Sequence, residues 1–192
     1  VLIASKLGPQ RIYYWDGKSK KMQDRLLKAL MPPFLESIGV VDVETATGPL
    51  IVRDEFAVGK NGIGRVGENL KEWFYSKVEA PSGPTLLSYS KITYSSLDGP
   101  IIEELGSKVE TTMAQILALI EHQEIGGPGV LLNNNCLDNI FYVKDALDVL
   151  RTVRVFWREV GWRIFAYSVT CPGEWGAGSQ VFSRNSSFAV AV

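Results

Sequence analysis

Three glycines and a lysine in "VGKNGIGRVG" (Val58 to Gly67) come nearest to a chemical motif. Gly59, Gly62 and Gly64 with Lys60 have the make-up of a backbone nest for a phosphate, ahead of a helix starting near Glu68. The stretch lacks a Walker-type Lys-Ser/Thr pair and any upstream residues suited to holding Mg²⁺, and Asn61-Gly62 is a favoured hairpin turn. A turn is the expected structure, with a nucleotide-binding enzyme built on Gly59 to Gly64 as the alternative. The lone histidine, His122, and Cys136 are types that can pair as base and nucleophile. Yet an imidazole also suits the C-terminal end of a helix, and Cys136 follows three asparagines in a polar loop, so structural roles are expected. The neighbouring carboxylates Glu103 with Glu104, and Asp54 with Glu55, point different ways and read as solvated faces. No metal-ligand spacing appears. Neither catalysis nor a metal or cofactor is expected.

The richer pattern is "VRVFWREVGWRIFAYSV" (Val153 to Val169), where large apolar residues alternate with arginines and aromatic rings. If Val160-Gly161 forms a two-residue turn, Arg158 faces Arg163, Phe156 faces Phe165 and Arg154 faces Tyr167. Those six residues make one patch. The other face carries Trp157 with Ile164, Val155 with Ala166, and Val153 with Ser168. One register sorts every residue, so a hairpin with a core-facing side and a mixed side is expected. Three arginines argue for an exposed patch over one covered by a helix.

The elements that must position this hairpin follow from the rest of the 192 residues. A strand from Arg11 to an Asp16-Gly17 turn leads to a short helix ending at Pro32-Pro33. "GENLKEWFYSKV" reads as a helix with Leu70, Trp73 and Phe74 inward, and "TLLSYSKITYSS" as a strand. One long helix is expected from Ile101 to Gln123, with Asp98 as N-cap and Gly126-Gly127 as its stop. Its broad stripe of Ile102, Leu105, Val109, Met113, Ile116, Leu119 and Ile120 reads as a core face, with self-association of two copies as the alternative. From Asn139 onward four short strands suggest an antiparallel β-meander packed on helices. The expected fold class is therefore α+β, a single domain with a mixed helix/strand half (1–128) and a β-rich half (129–192).

Charge narrows the partners. Twenty Lys and Arg nearly cancel twenty-one Asp and Glu, so no global field recruits nucleic acid or anionic lipid. The apolar runs are too short to span a bilayer, and "VLIASKLGP" is too short for a signal peptide. A soluble protein is expected, in the cytoplasm or displayed on a cell or virion surface. Two cysteines make no disulfide framework.

The frame "V-x-V-x-W-x-x-x-x-W-x-I-x-A-x-S-V-x-x-P-x-x-W-x-x-x-x-QVFSRNS" resembles the C-terminal variable region of target proteins of diversity-generating retroelements. In such systems a reverse transcriptase randomises adenines of a template, and a randomised AAY codon never encodes Trp, Gln, Glu, Lys or Met. The alternate positions Arg154, Phe156, Arg158, Val160, Gly161, Arg163, Phe165, Tyr167, Cys171, Gly173 and Ser179 are all AAY-accessible, whereas Trp157, Trp162 and Trp175 are not. Glu159 and Glu174 depart from that pattern. The resemblance covers roughly the last fifth of the chain. It implies a C-type-lectin-like fold and a diversified site formed by those eleven residues, held by Val155, Trp157, Trp162, Ile164, Ala166 and Trp175. The implied function is non-enzymatic binding of a protein or glycan ligand. A nucleic-acid-binding sheet is the alternative, since Arg among aromatic rings also suits base stacking.

Overall fold

Stretches with period-two alternation form strands, and each pairs where its apolar face can be covered. The computed structural model describes residues 33–133, 137–159 and 161–185. The expected strand and helix before Pro32, together with Cys136 and Val160, lie outside them. In chain order the elements are β1 (Leu35–Val43), β2 (Leu50–Ile51), α1 (Val52–Glu55), β3 (Ile63–Val66), α2 (Glu68–Phe74), β4 (Val78–Glu79), β5 (Thr85–Ile92) and α3 (Asp98–Leu105). There follow β6 (Glu110–Thr111), α4 (Met113–His122), β7 (Asn139–Lys144), β8 (Leu150–Arg158), β9 (Gly161–Ser168) and β10 (Gln180–Arg184).

The main sheet runs β1-β5-β10-β7-β8-β9-β3, with β6 beside β10 on the same edge of β7. It is mixed. Strands β7, β8 and β9 form the expected meander, but β10 leaves it and lies between β5 and β7, parallel to the latter. A loop laid back across the sheet carries β10 there, and four of its five residues are buried, as befits a central strand. Strand β3 closes the far edge, parallel to β9. The chain is thus α+β, with a large mixed sheet and few helices.

Each face of the sheet has its own core. The inner face packs Phe141, Val143, Val153, Val155, Trp162, Ile164 and Phe182 against α2 and α4. The outer face gathers Ile92, Ile140, Tyr142 and Val181 under Ile101 of α3 and Trp175. The single long helix expected over Ile101–Gln123 is two helices. Gly106, at φ 57°, ends α3, because only glycine adopts that conformation without strain. Thr112 then opens α4 through a capping box with Gln115. Ile102, Leu105 and Val109 consequently serve the outer core, and Met113, Ile116, Leu119 and Ile120 the inner one. The continuous stripe considered for self-association does not exist. Among the described residues no helix is long and apolar enough to cross a membrane.

Candidate functional site: the outer face of the β8–β9 hairpin

Alternation fixed the faces of the hairpin, and the turn fixed its register differently from expectation. Arg158 pairs with Gly161, Phe156 with Arg163 and Arg154 with Phe165. The turn therefore lies between Arg158 and Gly161, with Glu159 at φ 58°. The strand is displaced by two residues from the expected pairing, and because side chains repeat every two residues both faces keep their members. Val153, Val155, Trp162, Ile164 and Ala166 are buried beneath, with Trp157 half-buried edge-on to Trp162 at 5.2 Å.

Arg154, Phe156, Arg158, Arg163, Phe165 and Tyr167 share the outer face. Arg158 is exposed and the other five are half-buried, so the patch is neither capped by a helix nor free of neighbours. The Phe156 and Phe165 rings stack at 5.8 Å, with Arg154 over the first at 4.2 Å and Arg65 of β3 over the second at 5.5 Å. Such contacts immobilise the rings without removing them from water. The Arg154 Nε donates to Asp138 Oδ1 at 2.6 Å. Burial works against the Arg154 charge, but hydrogen bonds to Asp138 and Tyr167 prevail and raise its pKa. Arg163 meets Glu159 at 3.5 Å, an exposed pair of little energetic weight.

Two of the expected variable positions are not displayed. Gly161 is buried against the β3 turn, where an added Cβ would come within 2.9 Å of the Gly62 carbonyl oxygen. Ser179 is buried too, its hydroxyl accepting the Asp138 N–H. Trp175, expected among the residues that hold the site, lies over the outer face. It bridges Ser96, sets its ring edge-on to Tyr167 at 6.2 Å and donates its indole N–H to Asp98 Oδ1 at 2.8 Å.

The loop after β9 and the hairpin enclose a cavity of ≈ 180 Å³. Arg154, Tyr167, Cys171 and Gly173 supply part of its lining, so the structure brings together four of the residues expected to vary. Asp98, Glu174 and Trp175 supply the rest. Asp98 is not a helix cap; it is buried and also accepts a hydrogen bond from the Tyr142 hydroxyl at 2.8 Å. Burial raises its pKa despite those donors, and raises that of Tyr142 as well. Sequence reading missed Asp98, Asp138 and Arg65 as members of this region.

The glycine stretch is a turn. The Gly59 N–H donates to the Ile63 carbonyl, Lys60 N–H to Ala57 and Ile63 N–H to Lys60. These donors are thereby committed within the loop, and the Lys60 ammonium pairs with Glu55 at 2.7 Å. His122 ends α4 and lines a separate, mainly apolar cavity with Val41, Val43, Ala118 and Leu119. Its suggested partner Cys136 lies outside the described residues. Glu104 does not simply face solvent; its carboxylate accepts the Phe34 and Leu35 N–H groups at the start of β1. Among the described residues no cluster of His, Cys, Asp or Glu is placed to hold a metal ion. No family model, curated protein or solved structure matches the chain.

Proposed function

We propose that this chain is a non-enzymatic binding protein that presents a diversified surface on the β8–β9 hairpin and the loop following it, in the manner of retroelement-diversified variable proteins. One observation carries the reading. Arg154, Phe156, Arg158, Arg163, Phe165 and Tyr167, all reachable from an AAY codon, occupy the outer face, while Trp157 and Trp162, which are not, occupy the inner. Changes on the first set leave the inner core beneath the hairpin untouched, although Tyr167 also packs on the outer one. Arg and aromatic residues are also the types that dominate protein interfaces, and anchored rings lose little freedom on binding.

The ligand in this reading is a protein or glycan. Nucleic acid is the less favoured partner, since Asp138 and Glu159 sit among the arginines and break up any continuous positive track. The resemblance alone extends the proposal to a C-type-lectin-like arrangement. The test is an exchange of the six patch residues between two chains that share the frame and differ in ligand. Preference that travels with the six residues supports the reading; preference that stays with the scaffold overturns it.

A further inference from the structure

We infer that the cavity beside the patch is a socket for one cationic side chain of the bound partner, with Asp98 as its anionic floor. The inference rests on the proposed binding face and names the chemistry that this part of it selects. Asp98 is 1% exposed and, among the described residues, forms no ion pair with a lysine or arginine. A buried carboxylate without a cation is costly, and groups in that condition cluster where a ligand supplies the missing charge. Its Oδ1 takes two donors, from Tyr142 and Trp175. The Thr152 hydroxyl, fully buried on the same side, approaches the carboxylate and among the described residues has no other hydrogen-bond partner.

The walls agree with that floor. Tyr167 and Trp175 present aromatic surface, and the exposed Glu174 adds a second negative charge at the rim. Arg154 also borders the space, but its guanidinium is held by Asp138 and laid over Phe156. Size limits the occupant: ≈ 180 Å³ is below the range of about 300–1,000 Å³ typical for whole small-molecule ligands, and suits one side chain. The socket combines residues of two kinds. Asp98 and Trp175 are fixed in the diversification scheme, whereas Arg154, Tyr167, Cys171 and Gly173 belong to the varied set. Such a site keeps one constant demand, an ammonium or guanidinium group, while its surroundings change.

The probes are n-butylammonium, n-butylguanidinium, n-butanol and n-butyrate, titrated into the intact chain while the Trp175 indole N–H resonance is followed. Saturable shifts with the two cations, at least tenfold weaker for butanol and butyrate, are expected. Relative strength of the first two distinguishes a lysine-like from an arginine-like occupant. Asp98→Asn should weaken the cations at least tenfold. Tyr167→Leu, on the half-exposed wall, should weaken them severalfold with the floor intact, and serves if the first variant fails to fold. Butyrate binding as well as the cations, or cations unaffected by either variant, overturns the socket. The titration probes the fixed floor and the patch exchange the varied residues, so either result can fail without the other.

Discussion

Trp175 donates its indole N–H to Asp98 Oδ1 at 2.8 Å across 77 residues of sequence, and this bond ties the loop after β9 to the start of α3. It holds in place the loop that forms one wall of the cavity. Trp175→Phe keeps most of the ring and removes the donor, so it should cost about 1–3 kcal/mol. Chemical denaturation measures that loss, and limited proteolysis should show earlier cutting between 169 and 179.

The same carboxylate sets a pH dependence. Burial raises the folded-state pKa of Asp98 above 3.8. The folded chain therefore holds this proton more tightly than the unfolded one, so the associated stability is fully present below the unfolded pKa and is lost as pH rises through the folded value. Asp98→Asn removes this term. Its melting temperature, relative to the parent, should climb as pH rises from about 4 and then level off. A difference that stays flat across that window would show the carboxylate to be unperturbed.

Frame and patch should respond to mutation on different scales. Phe156 and Phe165 stack half-buried, and such a pair contributes about 0.5–1.5 kcal/mol beyond area burial. The triple change of Phe156, Phe165 and Tyr167 to Ser should leave a folded protein, destabilised by about 1–3 kcal/mol. Trp162→Ala, in the inner core, should cost about 3–5 kcal/mol by itself. Urea denaturation of both variants makes the comparison, and equal losses would place the rings in the core.

Gly161 should tolerate nothing larger. A Cβ there would lie 2.9 Å from both the Gly62 oxygen and the Gly64 nitrogen, and backbone cannot swing aside. Gly161→Ala should lose about 1–3 kcal/mol, as overpacked cores do. Gly173→Ala is the control: the nearest atom is Cys171 Sγ at 3.9 Å, and the melting temperature should barely move.

The turn at Gly59 to Gly64 should ignore nucleotides, because its Gly59, Lys60 and Ile63 N–H groups are spent within the loop and the Lys60 ammonium is paired with Glu55. ATP or GTP with Mg²⁺ should leave the melting temperature unchanged, since a ligand specific to the folded state raises it. A rise abolished by Lys60→Ala would restore the enzyme alternative.

Faces proved far more legible than partners. The alternation from Val153 to Val169 identifies which residues look inward, because a period of two survives any slip by two. It cannot show where the turn begins, and Glu159 adopts a conformation that its residue type disfavours. The apolar stripe from Ile102 to Ile120 reads as one helix although it serves two faces of one sheet, since the apolar spacing runs on through the break between Gly106 and Thr112. Long-range choices were the hidden part. Nothing local tells β10 to insert between β5 and β7, brings Arg65 to Phe165, or lays Trp175 over Asp98.

The central claim is that the outer face can vary while the fold stands. A library randomised only at Arg154, Phe156, Arg158, Arg163, Phe165 and Tyr167, with AAY-derived residues, puts it to the test in one measurement of protease resistance on a display platform. Most members should stay folded and resist protease within about 3 kcal/mol of the parent, the scale set by losing the contacts of half-buried rings. A library in which most members are cut as unfolded chains would contradict the account, since it would make the patch part of the fold.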